Sequence, residues 1–477
     1  MSLAAMSPEA LQALLARQRA AFSREPYPSR VARQDKLHRL RAALRRHQDR
    51  LCDAMSLDFG GRPRLESKMA DVLGPVLEIN HALRHLRGWM KPRRRQTELL
   101  FFSNRAWIEY QPKGVIGIIA PWNFPGYLAL GPLIAALAAG NRAMIKMSEF
   151  APNSAQAVRA LLAECFDEDE VAVVGGDAEV GKAFAALPFD HLIFTGSTAV
   201  GRAVMRAAAE NLVPVTLELG GKSPAVVSRS ADLRQAARKI AHGRLFNAGQ
   251  VCVAPDYALV PRERLQEFAV AVADAFKAMS PDASGDPDYT SIVSQRHFTR
   301  LDELLADARA LGAEVTICGK PDVASRRFPL HLVTRVSDAM RIAREEIFGP
   351  ILPILPYDDL DGAIEYISAR PRPLALYYFG SNAAEASALG RRTHAGGVTL
   401  NDWGWHVFQH DLPFGGIGAS GMGTYHGHEG FLALSHGKSL FSTHRLFPVH
   451  FFYPPYGRFM QRLALRLFLG AGADKRR

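Results

Sequence analysis

Apolar positions recur three and four apart through the first ninety residues. Leu37, Leu40, Leu44 and Leu51 fall on one side of a helical wheel, and 67–90 repeats the spacing, so both stretches predict amphipathic helices. The period then shortens. Short β-rich runs at 107–111, 115–120, 142–146, 171–174, 191–194 and 226–227 predict strands, with helices expected at 128–139 and 154–165. Strand–helix alternation of this kind places a parallel sheet between two layers of helices. A second α/β series follows over 225–400, with no internal repeat and no long disordered linker. Near the end, Phe459, Met460, Leu463, Leu467 and Phe468 fall on one face of a further helix amid basic residues. Such a face packs on its own domain or lies on a membrane surface, and it is too short to span one.

Composition narrows the class. At 477 residues, 48% hydrophobic and 22% charged, the chain is globular and long enough for two or more lobes. The uncharged stretch 114–141 contains Pro121, Pro125, Pro132 and Asn123, which suit loops and buried strands better than a spanning helix. The net charge of +11 gathers at Arg41–Arg50, Lys91–Arg95 and Lys475–Arg477, without an RNA-binding motif or zinc finger, so solvated faces rather than nucleic-acid contacts are expected. Cys52, Cys165, Cys252 and Cys318 form no CxxC pair, which argues against a disulfide framework or a cysteine metal site. Residues 1–22 lack a basic-then-apolar leader pattern, and a reducing, cytoplasmic setting is the expectation.

Several segments carry chemistry. Cys252 ends the turn Asn247-Ala248-Gly249-Gln250-Val251-Cys252 that follows a helical pattern, where helix-end dipoles and backbone N–H groups favour a thiolate; a lone cysteine of this kind is more often a structural thiol. Glu218 sits at an apolar strand end before Gly220-Gly221, where desolvation would raise its pKa toward general-base range, or where it would cap nearby amides. Asn123, between Pro121 and Pro125, is either a turn residue or a preorganised oxyanion donor. Phe194-Thr195-Gly196-Ser197 is a strand, a glycine turn and a helix start, suited to a pyrophosphate. Lys146 and Glu149 follow another strand, where they would bond a ribose diol or simply pair with each other.

Taken together, PWNFP (121–125), KMSE (146–149), FTGSTAVG (194–201), LELGGKSP (217–224), GQVC (249–252), EEIFGP (345–350) and PFGGIGASGMG (413–423) resemble the aldehyde dehydrogenase superfamily over nearly the whole chain. The segments DFGGRP, VCVAPDY and RPRPLALYYFG look most similar to its coniferyl (aromatic) aldehyde dehydrogenases. The resemblance implies an α/β fold of two open Rossmann-type lobes with a small oligomerisation β-arm. It implies a cofactor-binding domain at 1–97 and 113–218, a catalytic domain at 219–402, an arm at 98–112 and 425–445, and a tail at 446–477. It also implies a homodimer that uses NAD and tolerates NADP, and no metal. Cys252 would be the nucleophile, Glu218 the base and Asn123 the oxyanion donor. Trp122, Lys146, Glu149, Gly196, Ser197, Glu346 and Phe348 would hold the cofactor, and Asn401 would support the site. Departures from the family pattern are Met147, where proline is usual, Val251 before the nucleophile, where a polar or small residue is common, and the aromatic 402–410 segment. An apolar mouth built from Trp122, Tyr127, Trp403, Trp405 and Phe408 is expected to favour bulky aldehydes.

Overall fold

The computed structural model describes residues 5–281, 285–445, 447 and 449–470. The leucine pattern near the amino end becomes one helix, Arg30–Phe59, with Leu37, Leu40, Leu44 and Leu51 buried. Ser29 caps its start and Gly60, in the left-handed region, ends it. The helical stretch expected at 67–90 begins earlier and is interrupted. Arg64–Ser67 leads into a π-helical turn, Lys68–Leu73, before Gly74–Trp89 continues as an α-helix.

Strands β3 (Val115–Ile119), β4 (Arg142–Lys146), β5 (Val171–Val174), β6 (His191–Gly196), β7 (Val215–Leu219) and β15 (Gly421–Met422) form a six-stranded sheet ordered β15-β7-β6-β3-β4-β5. From β3 the chain steps to β4 on one side and later returns as β6 on the other, so a topological switch point lies between β3 and β6. The helix Tyr127–Ala139 follows β3 and is buried at all 13 positions, which accounts for its uncharged sequence without a membrane. A seven-stranded sheet is built from β8 (Pro224–Val227), β9 (Tyr257–Pro261), β10 (Glu314–Cys318), β11 (Leu330–Thr334), β12 (Ile351–Tyr357), β13 (Ala375–Phe379) and β14 (Gly397–Leu400), ordered β10-β11-β12-β9-β8-β13-β14. Neither sheet is wholly parallel. β15 pairs antiparallel with β7, and β10 with β11, each at an edge.

Contacts divide the chain into a unit of 1–89 with 111–436, which holds both large sheets, and a smaller one of 90–110 with 437–477. In the smaller unit β1 (Arg93–Arg95), β2 (Arg105–Pro112) and β16 (Ser435–Ser442) make a three-stranded sheet, so Arg93–Arg95 belongs with the arm sheet rather than with the first lobe. The segment expected in the arm at 425–445 divides, because the helix Gly427–Ala433 packs on Gly74–Trp89 and Tyr127–Ala139 instead. The terminal helix forms as Phe459–Leu469, but its apolar face is not packed: Phe459, Met460, Leu463, Leu467 and Phe468 are exposed. Its anchor is polar. Gln461 is buried and bonds the Gly457 and Arg458 N–H groups and the Phe451 carbonyl. Lys475, Arg476 and Arg477 lie outside the described residues.

Candidate active site

Cys252 follows the helix Leu233–Leu245 through a turn in which Asn247 and Ala248 both take positive φ. Gly249 takes φ +69°, and a side chain there would meet the Gly349 carbonyl at 2.6 Å, so the turn can lie against 348–350 only with glycine at that position. The thiol opens on a cavity of about 240 Å³ whose wall includes Leu73, Leu77, Phe124, Tyr127, Phe246, Trp403, Phe408, Phe414 and Tyr425. Burial, reinforced by Glu346 and then Glu218, pushes the Cys252 pKa up to about 12. The buried thiols of Cys52 and Cys165 donate instead to backbone carbonyls and have no such company.

Glu218 is buried at the carboxyl end of β7, and neither of its carboxyl oxygens has a hydrogen-bond partner. Desolvation alone raises its pKa well above the usual carboxylate value. The capping alternative is therefore not realised. Glu346 lies over Gly220, whose missing side chain leaves the space for its carboxyl group. Burial, with Asp256 adding like charge, pushes Glu346 up to about 8 against the Gly221 N–H, Lys222 and Arg300. Cys252 lies within charge range of both Glu346 and Glu218, so charge on either acid opposes ionisation of the thiol.

Asn123 is buried, and its Nδ2 donates to the Gln250 carbonyl at 3.2 Å, two residues before the thiol. Its own carbonyl accepts from Arg62 Nη1 (3.2 Å) and Asn247 Nδ2 (3.1 Å). Arg62 in turn pairs with Asp71 (3.1 Å) and Glu66 (3.3 Å). Asp71 accepts from the Gly126 and Tyr127 N–H groups, and Glu66 from the Asn247 N–H. Sequence reading passed over this buried network. Its only trace is the Arg62–Glu66 spacing of four, and Arg62 lies in the loop before the helix Arg64–Ser67.

The cofactor candidates gather at strand ends. Trp122 follows β3, Lys146 ends β4, and Gly196 ends β6 with Ser197 as N-cap of the helix Thr198–Ala209, accepting from the Val200 N–H. These positions flank the switch point, where open α/β sheets bind nucleotides, and the helix start offers N–H groups to a diphosphate. Lys146 Nζ is almost wholly buried, donates to the Met147 carbonyl and lies 3.7 Å from Glu149, whose carboxylate is exposed. Trp122 packs edge-on to Phe348 (5.4 Å) and His297 (5.0 Å), so it faces the cofactor candidates and does not line the apolar cavity. Tyr127, Trp403, Trp405 and Phe408 do line it. Asn401 is outside the cavity wall, its side chain accepting from the Gly380 N–H. Met147 donates its N–H to the Val174 carbonyl, a bond proline could not make, and so extends the pairing beyond β4. Among the described residues no cluster of His, Cys, Asp and Glu could hold a metal ion, and no helix is long and apolar enough to cross a membrane.

Comparison with known proteins gives a consistent result. The model of the aldehyde dehydrogenase family matches residues 1–440. A probable coniferyl aldehyde dehydrogenase of Pseudomonas aeruginosa is 50% identical over 459 residues, covering 96% of each chain. Among solved structures, the substrate-bound state of Staphylococcus aureus AldH superposes with a TM-score of 0.91 at 35% identity, covering 96% of this chain and 99% of that one. A mutant of Pseudomonas syringae AldA, an indole-3-acetaldehyde dehydrogenase in complex with NAD+ and IAA, superposes at 0.85 with 28% identity, covering 93% and 90%.

Proposed function

Since the chain belongs to the aldehyde dehydrogenase family and oxidises aldehydes, we propose that its substrate is a bulky hydrophobic or aromatic aldehyde of the coniferyl type, converted to the acid through a thioester on Cys252. The observation that carries this reading is the unpartnered Glu218 carboxyl within charge range of the one thiol in the wall of an apolar cavity. Burying a ring there would contribute about 25 cal/mol per Å² of apolar surface, which a two-carbon aldehyde cannot supply.

Once the Cys252 thiol has released its proton to solvent, attack of Sγ on the aldehyde carbon places negative charge on oxygen, and Asn123 Nδ2 with the Cys252 N–H would stabilise it. An amide has two N–H bonds, so Asn123 can keep its bond to the Gln250 carbonyl while donating a second. The residues at the switch point fit a nicotinamide dinucleotide. Ser197 and its helix start would take the diphosphate, Lys146 and Glu149 the adenosine ribose, and Glu346, beside Phe348, the other ribose. When bound, that group supplies the hydride acceptor. A 2′-phosphate would meet the Glu149 carboxylate, with Lys146 partly offsetting the repulsion, so NAD is preferred and NADP tolerated. Loss of hydride from the substrate carbon leaves a thioester on Cys252. Glu218 then takes a proton from the water that hydrolyses it, its raised pKa suiting a base at neutral to alkaline pH.

Retention of Glu218 favours water over coenzyme A as the acyl acceptor. Rapid mixing of Glu218→Gln with NAD and cinnamaldehyde tests the assignment. A burst of NADH approaching one per site, then turnover lowered about 10²–10⁴-fold, is expected. Loss of the burst would place Glu218 at thiol deprotonation, and undiminished turnover would make another group the base.

A further inference from the structure

One of the few polar groups on the cavity wall is a histidine whose tautomer is settled by its neighbour. His242 lies on Leu233–Leu245 and lines the cavity with Trp403. Trp403 Nε1 donates to His242 Nδ1 at 3.1 Å. Indole nitrogen is a donor only, so Nδ1 carries no proton, and the neutral ring holds its proton on Nε2. Burial also keeps the imidazole below its ordinary pKa, favouring that neutral form. The Nε2–H makes no hydrogen bond among the described residues.

The placement is suggestive of length. Phe246 follows His242 by four residues, on the same face of the helix leading to the Cys252 turn, which sets His242 about 6 Å farther back along the axis. The two rings are 6.0 Å apart, and His242 lies 5.5 Å from Trp403, so the donor is framed by aromatic faces. An aryl aldehyde lying along this wall with its aldehyde at Cys252 would carry its far substituents toward the imidazole.

We propose that His242 is a specificity residue whose Nε2–H donates to a phenol or methoxy oxygen on the far side of an aryl aldehyde. The inference rests on the aromatic-aldehyde reading above and names the substituent that site selects. A donor that gains an acceptor oxygen on the substrate binds better than one facing a bare ring, so an oxygenated ring is preferred to an unsubstituted one.

The test measures kcat/KM by NADH absorbance for 4-hydroxy-3-methoxycinnamaldehyde and for cinnamaldehyde, with wild type, His242→Phe and His242→Gln. Wild type should favour the oxygenated aldehyde by about 10–100-fold. His242→Phe should erase that preference by lowering kcat/KM for the oxygenated aldehyde far more than for cinnamaldehyde. His242→Gln, which keeps an N–H donor, should retain part of it, and serves if the phenylalanine variant fails to fold. Equal losses on both aldehydes, or no preference in wild type, would overturn the role of His242 alone. Turnover of decanal with neither cinnamyl aldehyde oxidised would overturn the aromatic-substrate reading, and this inference with it.

Discussion

Glu346 and Cys252 illustrate how a single carboxyl group governs a nucleophile. With Glu346 seated over Gly220, its charge is, after burial, the largest cause of the raised thiol pKa. Glu346 itself titrates near 8, so as pH rises past that value its new charge opposes ionisation of the thiol. Removing the charge should therefore lower the Cys252 pKa. Iodoacetamide alkylation of free Glu346→Gln is expected to be faster than that of wild type at pH 8–9, with the ratio shrinking below pH 7, where wild-type Glu346 is protonated. An equal rate at every pH would mean that Glu346 does not act on the thiol. The same carboxyl group would hold a ribose, so binding the dinucleotide and relieving the thiol are linked through one side chain.

At the scale of elements, the site depends on a helix interruption. The π-helical turn Lys68–Leu73 supplies Met69, Ala70 and Leu73 to the cavity wall and points Asp71 at the start of Tyr127–Ala139. Arg62 joins that turn to the loops of Asn123 and Asn247, and its guanidinium also lies over the Phe59 and Phe124 rings (5.1 and 4.9 Å). Removing one member of a buried ion pair typically costs about 3–5 kcal/mol, so Arg62→Leu should unfold at markedly lower denaturant. Arg62→Lys keeps the charge but not the planar fork that reaches Glu66, Asp71 and Asn123 together. It should retain most of the stability and lose kcat more than KM, since the Asn123 amide would no longer be held. A lysine variant with wild-type kcat would show that Asn123 is positioned without Arg62.

Across the whole molecule, buried ionisable groups set the pH dependence of stability. Burial holds His191 and His426 down to about 3, and His297, His331, His406 and His410 down to about 4. Unfolding lets these rings bind protons, so they withdraw stability as pH falls below about 6.5, the unperturbed histidine value. Glu78, Glu218 and Glu346 are shifted the other way. Each binds its proton more tightly in the folded state than in the unfolded chain, so each withdraws stability as pH rises from the usual carboxylate range toward its folded value. The two sets oppose one another between about pH 5 and 6.5, and above that only the acids act. The melting temperature should accordingly rise toward pH 6.5, where the six histidines outweigh the three acids, and fall from pH 6.5 to 8.5. Glu78→Gln should make that fall shallower, which thermal unfolding across the range can check. A melting temperature that rises over the same range would refute the assignment.

Much of the architecture was legible in local pattern, because a helix or strand repeats its contacts every few residues. Leu37, Leu40, Leu44 and Leu51 mark the long helix, and the short apolar runs at 115–120 and 142–146 mark two neighbouring strands of one sheet. The motifs around Cys252, Glu218 and Asn123 pointed to the chemistry for the same reason. What local pattern does not carry is which partner a side chain meets once the chain has folded. Arg62 reads as a surface charge until Asn123 and Asp71 fold around it. Trp122 reads as a channel residue until packing turns it to His297 and Phe348. His242 is one more helical polar residue until Trp403, 161 residues on, takes up its Nδ1. The sequence by itself determined which segments become helix and strand and which residues can do chemistry. Only the tertiary structure decided which of those residues stay dry, unpaired and within reach of one another, since desolvation and partner choice depend on what the rest of the chain excludes from the site.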